Sequence, residues 1–381
     1  MDINIIVAGD VVPSDRTTSL FKEKRTEYLF GDVLPVLQEA DYSIVNYEAP
    51  VVIDKGAPIK KSGPHLSSPI QTMEVLKEAG FNMITLANNH FRDQGEIGVK
   101  DTLKLAKDFG LDYVGGGENL AEAKKTRFVS IKQKKFAFLN FCEQEYSIAT
   151  NDYGGSNPYD IIDIAKSIQE AKDVADYVIL IIHGGIEHYQ LPTPRMKKEY
   201  RFFVDAGADA VVNHHQHCFS GYEFYKRKPI CYGLGNFCFD TADLRNDGMW
   251  DKGFLAKLTF DEEQVSLTSI PYSQCGAEPK VKLLENDAFD HKFSELNMVI
   301  LDDCKLTKAF QDLVATKQRK LLSVMNVFGN AIFDKLYKKG YLDILCNQDR
   351  LLVVKDLLYC ESHLDVLKCS TANLLKKAIE E

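Results

Sequence analysis

Residues 68–90, SPIQTMEVLKEAGFNMITLANNH, decide the fold class. Ser68-Pro69 reads as an N-cap followed by proline at the first helical position, and Gly80 as the residue that ends the helix. Between them Ile70, Met73, Val75, Leu76 and Ala79 recur at mostly helical spacing. Phe81–Ala87 is the following strand, and it runs out into Asn88-Asn89-His90. A helix feeding an apolar strand whose end carries polar, ligand-type side chains is an α/β unit with a site at the sheet edge.

The same alternation extends to both sides. Upstream, an Ile3–Ala8 strand is followed by a loop, a helix near Asp32–Ala40 and a Tyr42–Val45 strand. Downstream, Ile97–Phe109 is an amphipathic helix closed by Gly110, so a largely parallel sheet is expected. After Gly115-Gly116-Gly117 the texture changes. Arg127–Ile131 and Lys135–Phe141 read as paired strands, a helix from about Asp160 to Ala175 leads into the Tyr177–Ile182 strand, and Pro194–Ala206 is a helix stopped by Gly207. Tyr222–Tyr225, Ile230–Tyr232, Phe254–Phe260 and Val265–Ile270 are further strand candidates. Two packed sheets flanked by helices accommodate this order. From about Phe289 the spacing is helical, with candidates at Leu306–Val314, Gln318–Tyr337, Arg350–Glu361 and His363–Ile379. The expected division is a catalytic domain over 1–285 and a helical C-terminal extension over 286–381.

At 381 residues, with 45% hydrophobic and 27% charged side chains, the chain reads as soluble and globular. The net charge of −9 argues against nucleic-acid and anionic-membrane partners, because phosphate-rich surfaces attract basic patches. All of that surplus lies in residues 1–285, since the stretch from Asn286 onward carries 14 basic and 14 acidic side chains. Nine cysteines, none in Cys-x-x-Cys spacing, speak for core thiols in a reduced compartment rather than a zinc knuckle. No run approaches the ~18–20 apolar residues of a membrane span. Met1-Asp2-Ile3-Asn4 leads into a strand without a basic leader, so a cytoplasmic location is expected.

Six of the nine histidines fall into three clusters, each where a strand-like run ends. These are Asn88-Asn89-His90, His183-Gly184-Gly185-Ile186-Glu187-His188 and Asn213-His214-His215-Gln216-His217. Two more runs end in acids, Ile3–Ala8 at Asp10 and Tyr42–Val45 at Asn46-Tyr47-Glu48. Imidazole, carboxylate and amide oxygen are the ligands of borderline and hard divalent cations. Taken singly, Asp10 is equally a turn residue, the asparagines an Asx-turn and His183 a satisfied core histidine. Five strand ends delivering ligand types together imply a metal-centred catalytic site. His215 and His217 are the strongest pair, because residues two apart in extended chain share a side, while His214 points the other way. Lys60 and Lys61 adjoin these segments, but lysine is mostly a surface residue. Arg92, two residues past His90, is the better candidate for holding a carboxylate or phosphate.

Together these residues resemble the CapA family, also called PGA_cap or the poly-γ-glutamate capsule biosynthesis family, whose members look like relatives of the calcineurin-like metallophosphoesterases. The resemblance runs through Gly9-Asp10, Asn46-Tyr47-Glu48, Leu86-Ala87-Asn88-Asn89-His90 with Asp93 and Gly95, His183-Gly184-Gly185-Ile186-Glu187, Asp205-Ala206-Gly207-Ala208-Asp209, His214-His215-Gln216-His217 and Gly235-Asn236-Phe237, covering about residues 3–272. It implies a four-layer α/β/β/α sandwich, metallophosphoesterase-like, with a two-metal site at one sheet edge. It also implies Asp10, Glu48, Asn89, His183, His215 and His217 as ligands of two divalent ions (manganese, iron or zinc). His90 would act beside the metals as acid or transition-state stabiliser, together with Asn89 and Asp10. Glu187, Arg92, Asp93, His188 and Asn236 are expected to orient ligands or touch substrate. The family usually has Trp at Gly184, Gly at Asn213 and Pro at Gln216, so Gly184 is expected to open the pocket.

The expected activity is a two-metal hydrolase acting on a phosphoester or an amide of an anionic small molecule or polymer, associated with capsule or poly-γ-glutamate-type polymer biosynthesis. The alternative is a non-catalytic accessory protein of polymer synthesis with a structural or residual metal site. The C-terminal helices are candidates for oligomer or partner contacts.

Overall fold

The computed structural model describes residues 2–285, 287–325 and 348–380. Two sheets stack face to face. In the first, the strands run in the order Val281–Leu283, Val265–Gln274, Lys252–Phe260, Ile3–Val12, Tyr42–Tyr47, Met83–Thr85 and Asp112–Val114, with Asn236–Phe239 pairing to the end of Ile3–Val12. In the second the order is Tyr222–Tyr225, Lys228–Cys231, Ala210–His214, Tyr177–His183, Lys134–Cys142 and Arg127–Ile131. Parallel pairing joins the four strands from Ile3 to Val114, but Lys252–Phe260, Val265–Gln274 and Val281–Leu283 add antiparallel pairs. The first sheet is therefore mixed rather than largely parallel.

Alternation within the strands explains the layers. Ile3, Ile5 and Val7 face the second sheet and share a core with Phe138, Leu180, Val211 and Phe260. Ile6, Ala8 and Val11 face the other way, against Phe21, Met73, Leu76 and Val99 of the covering helices. The second sheet is covered by the helices Ile161–Lys172 and Pro194–Ala206, which bury Ile164, Ile168, Tyr200 and Phe203. The result is the α/β/β/α sandwich. Each large side chain taken out of water here contributes about 1.5–3 kcal/mol.

The segment expected to be a loop after the first strand carries two short helices, Asp15–Lys22 and Thr26–Phe30. The helix expected at Gln318–Tyr337 is described only as far as Met325, within Asp303–Met325, and its remainder lies outside the described residues. Asp287–Leu301, Gln348–Tyr359 and Glu361–Glu380 are the other described helices of the extension. Phe289 and Phe293 of its first helix insert against Phe219, with ring centroids 4.4 and 5.6 Å away. No described helix is long and apolar enough to cross a membrane.

Candidate metal centre

The carboxyl ends of Ile3–Val12, Tyr42–Tyr47 and Met83–Thr85 meet those of Lys134–Cys142, Tyr177–His183 and Ala210–His214 at one edge of the sandwich. Gly9 allows this closure: a Cβ there would lie 1.8 Å from the Gly235 carbonyl oxygen. That close approach seats Asn236 beside Asp10 in register.

Asp10, Glu48, His183, His215 and His217 are all buried at this edge. One oxygen or nitrogen each from Glu48, His183 and His215 fall within 4.8 Å of one another, and so do one each from Asp10, Glu48 and His217. Glu48 belongs to both groups. Its Oε1 is 3.5 Å from His183 Nε2 and 3.9 Å from His217 Nε2. Asn89 Oδ1 lies 3.1 Å from His183 Nε2, as does His215 Nδ1. His214, by contrast, turns its Nε2 to the Ala8 carbonyl, 3.0 Å away.

The convergence of His215 and His217 does not come from strand alternation. The strand ends at His214, and both residues sit at positive φ, 89° and 56°. Left-handed backbone at two non-glycine residues is uncommon and costs energy, and it concentrates at functional sites. Asn236 then sets the His217 ring. Its Nδ2 donates to the His217 carbonyl (3.2 Å), so its Oδ1 accepts from Nδ1–H (2.9 Å) and the ring turns Nε2 toward Glu48.

The donor set fits divalent cations. Asp10 Oδ2 and both carboxylate oxygens of Glu48 are buried with no hydrogen-bond donor, a state that costs about 1–3 kcal/mol per orphaned group. Burial, and then the neighbouring Asp10, push the Glu48 carboxyl well above its ordinary range. Burial opposes protonation of His217, but Glu48 and Asp10 outweigh it and push the ring up to about 10. Cations at this edge would satisfy the orphaned oxygens and relieve the repulsion between the two carboxylates.

His90 stands beside this cluster. Its Nδ1–H donates to Asp93 Oδ2 at 2.6 Å, and Lys61 pairs with the other oxygen of Asp93. The Lys61 side chain is only 3% exposed, so it is a buried member of the site rather than a surface lysine. Arg92 turns away instead, with Nε 3.1 Å from Glu96 Oε1 and its guanidinium stacked 4.0 Å over Tyr153. His188 is exposed and stacks on Trp250, and Glu187 lies exposed at the mouth.

Gly184 does not open the pocket. A Cβ there would meet Glu143 Cγ at 2.7 Å, because Glu143 fills the space. Two residues that touch the cluster were not singled out as site candidates from the sequence, although Asn46 lies in the quoted Asn46-Tyr47-Glu48 segment. Asn46 Nδ2 donates to Asp10 Oδ1 at 2.7 Å. Glu145 receives the Asn89 Nδ2 hydrogen bond (3.3 Å) and lies 3.6 Å from His215 Nε2. The signal for Glu145 was present: Lys134–Cys142 is another buried strand that runs directly into acids.

The family model of the bacterial capsule synthesis protein PGA_cap matches residues 4–241, and the chain belongs to that family. The capsule biosynthesis protein CapA of Bacillus anthracis is 36% identical over 251 residues, 64% of this chain and 61% of that protein. The PGA biosynthesis protein CapA of Bacillus subtilis (strain 168) is 33% identical over 240 residues, 62% and 63% respectively. The chain thus spans about three-fifths of the length of these curated relatives. A hypothetical protein from Thermus thermophilus aligns with 71% of this chain and 99% of its own, at TM-score 0.47 and 12% identity.

Proposed function

We propose that this chain is a metal-dependent hydrolase that uses two divalent ions on a phosphoester or amide, and that it serves the biosynthesis of a capsule or poly-γ-glutamate-type polymer. The observation that carries the metal reading is Glu48, shared by both ligand groups with two donor-less oxygens. Asp10, Glu48 and His217 would hold one ion, and Glu48, His183, His215 and Asn89 the other. Bound there, manganese, iron or zinc would supply Lewis acidity and activate water. His90 is held by Asp93 with Nε2 free to move a proton at the leaving group, a contribution of roughly 10²–10⁴ in rate. Burial first, and Lys61 next, hold this ring below its ordinary value, so it is neutral at pH 7 and takes a proton before giving one.

The polymer association rests on what the two Bacillus relatives are named for. Because both names describe synthesis rather than cleavage, an accessory role with a structural metal is the second reading. Metal analysis and substrate profiling separate them. The hydrolase retains close to two ions per chain, loses them in His215→Ala, and turns over a phosphomonoester or a γ-glutamyl anilide. Full metal loading with neither class turned over favours the accessory role.

A further inference from the structure

We propose that the helical extension forms part of the substrate pocket and selects the organic group attached to the anion held at the metal edge; this rests on the metal-hydrolase reading. The pocket above Asn89 and His90 has a volume of about 590 Å³, ordinary for a small-molecule site. One side is domain: Lys61, Tyr146 and Ile186. The facing side is built by three separate helices of the extension, through Thr316, Val353, Asp356, His363 and Val366. His363 Nδ1 lies 2.9 Å from Asp356 Oδ2, so this wall combines an imidazole–carboxylate pair with two valines.

One loop couples this wall to the ligands. Glu143 Oε2 and Oε1 accept from Ser362 N (3.2 Å) and Ser362 Oγ (2.9 Å) at the start of Glu361–Glu380. Gln144 N donates to Glu361, and the Tyr146 hydroxyl donates to the Leu352 carbonyl, at 2.9 and 3.0 Å. Between them Glu145 reaches Asn89 and His215. Arg195 clamps the joint, with 2.6 Å contacts to Glu143, Glu199 and Asp365. The space at Gly184 that Glu143 occupies is what lets the joint form. The extension therefore closes the far side of the site, and the fitting ligand is an anion with one compact organic substituent rather than the interior of a long polymer.

The test uses full-length, manganese-loaded protein and calorimetric titration with inorganic phosphate and with phenylphosphonate, which shares the anionic head and adds a ring. Wild type should favour phenylphosphonate. Val353→Trp should lower its affinity relative to phosphate by roughly tenfold, Val353→Ala by a few-fold, and Tyr359→Ala, exposed outside the pocket, should leave the ratio unchanged. Equal ratios in all four proteins overturn the proposal. If neither anion binds wild type, the phosphoester form of the metal-hydrolase reading has failed, and the wall is judged by hydrogen exchange. Ser362→Ala and Arg195→Leu should speed exchange at residues 348–366 roughly tenfold or more over wild type, and unchanged rates in both overturn it.

Discussion

Glu48→Gln should act with opposite signs in metal-free and metal-loaded protein. Without metal, the carboxylate is fully buried, lacks any donor and stands beside Asp10, so its pKa in the fold exceeds the ordinary 4.5. A carboxyl raised on folding costs stability wherever the unfolded chain would ionise it, that is above pH 4.5, and costs nothing below. In EDTA at about pH 8 the amide, which never ionises, should therefore stabilise the fold by about 1.4 kcal/mol for each unit by which folding raises the carboxyl. For a chain of 381 residues that is a rise of roughly 1–2 °C per kcal/mol, fading as the pH approaches 4.5. With manganese the sign reverses, because both ligand groups lose their shared anionic oxygens. Retention should fall by more than the ~10–100-fold that loss of a mere orienting residue costs. Scanning calorimetry with and without metal, alongside metal content by mass spectrometry, reads both arms. Shifts in the same direction under both conditions, or full metal retention by the variant, would refute the assignment of Glu48 as a shared ligand.

Asn236→Leu should free the His217 ring and weaken metal binding by about 10–100-fold while leaving the fold intact, measured by metal titration against a competing chelator. The single Trp250 lies 4.9 Å from the His217 ring, so manganese bound by Asp10, Glu48 and His217 should quench its fluorescence; saturable quenching that survives His217→Ala would refute that placement. Lys61→Met leaves the buried Asp93 charge without its cation and should cost about 3–5 kcal/mol in chemical denaturation, part of which Asp93→Asn restores. Burial pulls Glu143 upward, but Arg195, Ser362 and the Gly185 amide outweigh it and hold the carboxyl below its ordinary 4.5. Its contribution is complete above pH 4.5 and is lost as the pH falls through the lower folded value. Protection against hydrogen exchange at 361–371, taken relative to the intrinsic amide rate at each pH, should accordingly fall on acidification, and Glu143→Gln should flatten that dependence.

Local chemistry made much of this protein readable from its sequence. Period-2 and period-3.6 burial, the Ser68-Pro69 start and the Gly80 and Gly207 stops are properties of neighbouring residues, and so is a histidine or acid placed at the end of an apolar run. They gave two packed sheets and the polar clusters at five strand ends; the choice of Asp10, Glu48, Asn89, His90, His183, His215 and His217 within them was what the resemblance to the CapA family implied. What neighbours cannot specify is three-dimensional company. That Glu48 stands in both ligand groups depends on two sheets closing at one edge, over a Gly9–Gly235 contact spanning most of the chain. The facing of His215 and His217 depends on left-handed turns that alternation does not describe. Lys61 is a site residue only because Asp93 draws it inward, while Glu96 and Tyr153 draw Arg92 away. Gly184 looked like an opening until Glu143, held by Arg195 and Ser362 from distant helices, was seen to fill it. Residue type and spacing determine which chemistry is available at each strand end; long-range packing determines which of those groups share a centre, because a contact between distant residues leaves no periodic trace in either segment.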